Sequence, residues 1–285
     1  MNYRHAFHAG NFADVFKHAV LSLIISYLKE KPGAFRILDT HAGSGLYDLD
    51  GSEAMRTGEW RDGIARLLAA PPPPPMRDLL SPFLGVIATH NPEGVIRTYP
   101  GSPVLARALL SEQDRLIACE LHPPSFAALS AALAGDHRVK TVATDGWQAL
   151  AAYLPPAKRR GLVLVDPPFE AEGEFDRLIG GLAVAHKKWA TGITMLWYPV
   201  KDRRATESFT RELAALGIAK ILRAELFVAH PAASSSLAGC GLLIVNPPWP
   251  LRQQLSALLP YLSNALRRAP QSPPPLLQWI SGGAE

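Results

Sequence analysis

The amino-acid sequence predicts an α/β fold built on a Rossmann-like sheet of seven mainly parallel strands. Short apolar runs alternate with helical patterns almost from end to end, the sign of strands joined by crossover helices. Most of the runs are apolar at consecutive residues rather than at every second one, as in strands covered on both faces. An acidic residue also stands at or just past the end of each of the first four: Asp39, Glu120, Asp145 and Asp166.

Taken in chain order, strands are expected at 35–38, 116–119, 139–143, 162–165, 193–197, 221–228 and 242–245. The first helix, 12–29, lays Phe12, Phe16, Val20, Leu23, Ile24, Tyr27 and Leu28 along one side at helical spacing. Asn11, Asp14 and His18 fall on the opposite side with Lys17 at the edge of the stripe, so a helix packed on the sheet would show a polar side to something else. Ser102 followed by Pro103 reads as an N-cap and first-turn proline for a helix at 104–110. Further helices are expected at 124–133, closing at Gly135, at 174–189, and at 204–216, ended by Gly217. One segment breaks the alternation. Residues 51–98 hold five consecutive prolines at 71–75, further breakers at Pro82 and Pro92, and short helical patches at 60–70 and 76–90. Such a proline run forms a stiff extended connector. The expected division is a Rossmann-like domain at 1–50 and 99–269, a small inserted helical subdomain at 51–98, and a loosely packed extension at 270–285.

With 285 residues, 48% hydrophobic and 19% charged, the chain can bury a large core and is not a disordered polypeptide. No apolar stretch reaches the roughly 18 residues of a membrane span. Asp14 and Lys17 interrupt the one candidate for a leader peptide. Cys119 and Cys240 sit in apolar runs, which fits reduced core thiols of a cytoplasmic protein. The net charge of +4 is compatible with a nucleic-acid partner without requiring one.

The strongest local signal is Asp166-Pro167-Pro168-Phe169 after an apolar strand. Two prolines remove two N–H donors and hold the turn rigid. The Asp166 carboxylate and nearby carbonyls are then acceptors under a flat ring, which suits a planar base carrying an exocyclic amine. This is the (D/N)-P-P-(Y/F/W) element of amino-methyltransferases that use S-adenosylmethionine. A second copy, Asn246-Pro247-Pro248-Trp249, follows the seventh strand. Ligands of doubly wound sheets bind where the first and fourth strands meet, so the second copy reads as structural or as part of the rim.

Asp39-Thr40-His41-Ala42-Gly43-Ser44-Gly45 follows the first strand and is the candidate cofactor loop, with Gly43 among the glycines that let a ligand approach the backbone. His41 stands where a glycine is usual: either it touches the cofactor, or the loop is not a cofactor loop. Glu120 matches the acid that holds ribose hydroxyls, at a spacing far beyond ~20 residues unless 51–98 is an insertion. Asp145-Gly146 could accept from a cofactor adenine amine. The stretch from Tyr3 to Asn11 interleaves rings, cations and imidazoles, as suits stacking and phosphate contact with RNA. His5 and His8 lack cysteine or carboxylate partners at metal-ligand spacing, so no metal is expected.

Tyr-Arg-His-x-Phe-His-Ala-Gly-Asn-x-Ala-Asp-Val-x-Lys-His at 3–18, Asp-Thr-His-Ala-Gly at 39–43, Tyr-Pro-Gly-Ser-Pro at 99–103 and Asp-Pro-Pro-Phe-Glu at 166–170 resemble the bacterial 23S rRNA adenine-N6-methyltransferase family along nearly the whole chain. Phe169 stands where tyrosine is common. The resemblance implies a monomeric class I methyltransferase with S-adenosylmethionine as cofactor. It also implies 23S rRNA as partner, methylated at the N6 amine of one adenine before the RNA is packed into the subunit. It further implies that His18, His41, Ser102, Glu120, Asp145, Gly146 and Asp166 contact the cofactor. Asp166 would be the catalytic acceptor, with Pro167, Phe169 and Lys17 beside it, and Tyr3 and His5 near the substrate adenine.

Other readings use overlapping features. DNA adenine methylation shares the motif, but the insertion is small and not strongly basic. Protein glutamine methylation shares it too, while the aromatic, basic N-terminus favours RNA. A non-catalytic nucleic-acid-binding role linked to DNA uptake leaves the intact Asp166–Phe169 element unexplained.

Overall fold

The computed structural model describes residues 4–170, 172–231 and 237–282. Its strands in chain order are β1 (Arg36–Asp39), β2 (Leu46–Asp48), β3 (Thr98–Pro100), β4 (Arg115–Glu120), β5 (Val139–Ala143), β6 (Gly161–Val165), β7 (Ile193–Val200), β8 (Ile221–Phe227), β9 (Gly239–Val245) and β10 (Leu276–Ser281). β2 and β3 form a separate antiparallel hairpin; the rest make one sheet in the order β5-β4-β1-β6-β7-β9-β8-β10. From β5 to β7 the neighbours are parallel, whereas β9 runs antiparallel between β7 and β8. The chain moves outward from β1 to β5 and then returns to β6 beside β1, so the switch point where such sheets bind ligands lies between β1 and β6.

The sheet has eight strands, not seven. The last segment, expected as a loose extension, supplies β10, which pairs antiparallel with β8. Pro273, Pro274 and Pro275 hid it; they end just before the ladder begins, so their missing N–H groups cost the sheet nothing.

Ten α-helices lie among the described residues: α1 (Phe12–Glu30), α2 (Ser52–Thr57), α3 (Arg66–Ala69), α4 (Pro74–His90), α5 (Ser102–Leu109), α6 (Pro123–Ala132), α7 (Gly146–Tyr153), α8 (Glu174–Lys188), α9 (Arg203–Ala215) and α10 (Leu251–Leu266). Of these, α2, α7 and α10 were not anticipated. Strand side chains alternate between two cores as their period of two requires. Ile37, Leu162, Leu164 and Ile244 join one core with α1, α5 and α10. Leu38, Val163, Val165 and Val245 join the other with α7, α8 and α9.

α1 is buried along most of its length on both sides, because α4, α5 and α10 cover the side turned from the sheet. Pro82 does not break α4, which runs straight past it. The Asp78 carbonyl that proline leaves without its helical donor accepts from the Ser81 hydroxyl at 2.9 Å. Ser102 is not the cap of α5; Gly101 holds that place, and the serine hydroxyl is used elsewhere. No helix among the described residues is long and apolar enough to cross a membrane.

Candidate functional site

The carboxyl ends of β1, β4, β5 and β6 open onto one cavity of about 580 Å³. His5, Lys17, His18, His41, Gly43, Ser102, Glu120, Asp145, Gly146, Asp166, Pro167 and Phe169 all line it. Tyr3 lies outside the described residues. The loops after β1 and β6 therefore share one hollow.

After β1, Thr40 donates its only hydroxyl proton to the Leu164 carbonyl at 2.9 Å. Its 2.8 Å bond to His41 Nδ1 must then be donated by the ring, which leaves Nε2 as an acceptor. Burial lowers the His41 pKa to about 4, so the ring is neutral. Gly146, at the start of α7, presses on this loop: a Cβ there would lie 2.3 Å from the Thr40 carbonyl and 2.8 Å from the His41 ring. The histidine in place of a loop glycine is thus accommodated by a glycine elsewhere. Gly43 has a φ of +63° and donates its N–H to Glu120 at 2.8 Å. The other Glu120 oxygen accepts from His122 N at 2.7 Å. Both oxygens keep further lone pairs. Asp145 caps α7 through Trp147 N at 2.8 Å. Asp39, fully buried, accepts from Ser102 Oγ at 2.6 Å, and burial lifts its pKa to about 7.

Helix α1 supplies the opposite wall. Asn11 caps it, accepting from Ala13 N at 2.9 Å and Asp14 N at 3.0 Å. Lys17 Nζ bonds Asp14 at 2.8 Å and also Asp166 Oδ2. Burial works against the lysine charge, but the two carboxylates overcome it and hold its pKa above the ordinary range. His18 bonds Tyr99 through Nδ1 at 2.8 Å. Its Nε2 is buried with no partner among the described residues, and burial, helped by the Lys17 charge, drops its pKa to about 3. Phe169 has a φ of +51°, unusual for a bulky residue. Its ring meets those of Phe175 and Trp197 edge-on at 5.2 and 5.8 Å.

His5 and His8 gain carboxylate partners, Asp14 at 2.9 Å from the start of α1 and Glu59 at 3.0 Å from distant sequence. The Glu59 hydrogen bond raises the His8 pKa. Among the described residues no group of histidine, cysteine and carboxylate side chains is arranged to hold a metal ion. Thr40, Trp147, Trp197 and Lys201 also line the cavity and were not read from the sequence. Trp147 could have been found, as the aromatic beside Asp145-Gly146; Lys201 carries no local signal at all. Asn246 lies elsewhere: its amide donates to the Ala190 and Gly192 carbonyls at 2.8 and 2.9 Å.

The family described as ribosomal RNA large subunit methyltransferase D, RlmJ, matches residues 32–280. The chain is 45% identical over 266 residues to the ribosomal RNA large subunit methyltransferase J of Escherichia coli K12, covering 93% of this chain and 94% of that protein. It is 40% identical over 267 residues to the protein of that name from Haemophilus influenzae, with the same shares covered. A crystal structure of a Legionella pneumophila protein, 34% identical, superposes with a TM-score of 0.85 over 95% of this chain and 98% of its own.

Proposed function

Because the chain belongs to this family of ribosomal RNA large subunit methyltransferases, we propose that it methylates the N6 amine of an adenine in 23S rRNA, with S-adenosylmethionine as donor. The observation that carries the reading is the shared hollow: Asp166 and Phe169 face the same cavity as the loop at 40–43.

The residues present fit the cofactor. The unpartnered Nε2 of His18 and the acceptor Nε2 of His41 are neutral polar atoms for its amino-acid end. Spare lone pairs on Glu120 suit the ribose hydroxyls, Asp145 suits an adenine amine, and Ser102 and the tight backbone at Gly43 and Gly146 complete the cradle. When bound, S-adenosylmethionine supplies an electrophilic methyl carbon.

The chain's own residues act on the base. An adenine amine is a weak nucleophile, since its lone pair is delocalised into the ring. Acceptance of its hydrogens by Asp166 and the Pro167 carbonyl favours a pyramidal nitrogen with the lone pair free to react. Lys17 holds Oδ2 of Asp166, and the carboxylate keeps lone pairs that accept from the amine and take its proton as nitrogen becomes methylated. Phe169 stacks on the base, which must leave its helix or loop to enter; His5 and Tyr3 border it. RNA not yet packed into the subunit releases such a base most cheaply.

The test incubates the protein and labelled cofactor with protein-free rRNA, assembled large subunits, DNA and a glutamine-bearing protein, then digests and identifies the product. The expected product is N6-methyladenosine, strongest from protein-free 23S rRNA. Label only in DNA or protein, or on another rRNA atom, overturns the proposal.

A further inference from the structure

Asp14 is a buried charge at the cavity wall that the reaction above leaves unused. It is 1% exposed and lies in the first turn of α1, where three donors converge on it: Gly10 N at 2.9 Å, His5 Nε2 at 2.9 Å and Lys17 Nζ at 2.8 Å. Burial opposes its ionisation, yet His5 and Lys17 hold its pKa well below the ordinary range. Its partner Lys17 is also buried and reaches across the cavity wall to Asp166. Buried ion clusters add little stability over apolar packing of similar volume, so stability alone does not account for two carboxylates around one ammonium at the edge of this cavity.

We propose that Asp14 is a positioning residue for methyl transfer, acting through Lys17 on Asp166; this rests on the role given to Asp166 above. Two effects follow from the geometry. A lysine side chain is a flexible stem with a compact charge, and one carboxylate alone would let the ammonium follow Asp166 into the cavity. The second partner, fixed on α1, anchors it. Asp14 also offsets the lysine charge: the three groups carry one net negative charge rather than none, which leaves Asp166 a strong acceptor toward the incoming amine. Because Asp14 also holds Gly10 and His5, it ties the segment at 5–10 to the same point.

The experiment is a double-mutant cycle on the single-turnover rate at saturating RNA and cofactor, using Asp14→Asn, Lys17→Met and the pair. Asp14→Asn should slow transfer by roughly 10- to 100-fold with unchanged calorimetric affinity for S-adenosylmethionine. The double variant should be as slow as Lys17→Met, within about twofold. Loss of the His5 bond is read separately, as a higher RNA concentration at half-saturation. A double variant slower than Lys17→Met by the full Asp14→Asn factor overturns the proposal and leaves the Asp166 reading standing. So does Asp14→Asn at the parental rate. Lys17→Met at the parental rate overturns the route through lysine, while Asp166→Ala still decides the reaction itself. Should Asp14→Asn fail to fold, Asp14→Glu, which keeps the charge and displaces the anchor, takes its place in the cycle: slowing that disappears in the Lys17→Met background is expected, and a parental rate for Asp14→Glu overturns the proposal.

Discussion

Asp166-Pro167-Pro168-Phe169 follows β6 and Asn246-Pro247-Pro248-Trp249 follows β9, yet the two turns face different surroundings. β6 is parallel to its neighbours and ends at the switch point, so Asp166 meets Lys17 and the cavity. β9 is antiparallel, and its last residue, Val245, lies opposite Thr194 at the start of β7. Asn246 is consequently delivered to the amino edge of the parallel strands, where its amide is consumed by two backbone carbonyls. The aromatic residues differ in the same way: Phe169 is enclosed by two rings, and Trp249 is 79% exposed. A motif of four residues specifies a rigid turn; strand direction decides whether that turn meets a substrate.

The largest effect should separate the two turns outright. Asp166→Ala is expected to lower methyl transfer by about 10²–10³-fold or more with the melting curve retained. Asn246→Ala should leave the rate near parental and cost about 0.5–1.5 kcal/mol of stability, since one exposed and one part-buried carbonyl lose their donor. Equal rate losses would erase the contrast.

Two glycines sharpen it further. Gly146→Ala puts a methyl 2.3 Å from the Thr40 carbonyl. It should weaken cofactor affinity by roughly tenfold or more, because it displaces His41. Gly241→Ala, on β9, meets Tyr198 at 2.0 Å and should cost about 1–3 kcal/mol in unfolding without changing affinity per folded molecule. Calorimetric titration beside denaturant melts distinguishes the two.

The carboxyl edge should also be the pH-sensitive one. Asp39 titrates at about 7 in the folded chain because burial lifts it from 3.8. Its protonated form favours folding, so that contribution is complete below 3.8 and is lost as pH rises through about 7. Asp39→Asn should therefore gain stability relative to the parent between about pH 4 and pH 7, increasingly so as pH rises, and level off above that. A difference that is flat with pH contradicts the burial argument. The smallest effect belongs to Trp249→Ala, expected within about 0.5 kcal/mol of the parent and at the parental rate.

Much of this contrast could be read from the residues alone. The run at 162–165 marks β6 almost to the residue, because a strand buried on both faces is apolar without interruption, and the run at 139–143 coincides with β5, an edge strand that leaves Lys140 and Ala143 exposed. The rank of each motif in the strand order separated the two proline turns. What escaped was decided at a distance. β7 continues through Pro199, and β9 begins at Gly239, residues that read as breakers until their neighbours in the sheet are known. The polar side of α1 was legible as a pattern, but its partners are tertiary: Tyr99 for His18 and Asp166 for Lys17. The Ser102 hydroxyl looked like a cap because its local sequence fits one, and the buried Asp39 carboxylate outcompetes that local use.

The order in which strands join the sheet constrains how the chain can assemble. β8 precedes β9 in sequence, but β9 lies between β8 and β7. During synthesis β8 has no edge to join until residues 239–245 have emerged, and β10 has none until β8 is seated. β4, β5, β6 and β7, which with β1 frame most of the ligand hollow, each meet a neighbour that has already emerged. Completion of the far edge is therefore a late, all-at-once event, and damage there is expected to reduce how much protein matures rather than how fast each mature molecule turns over.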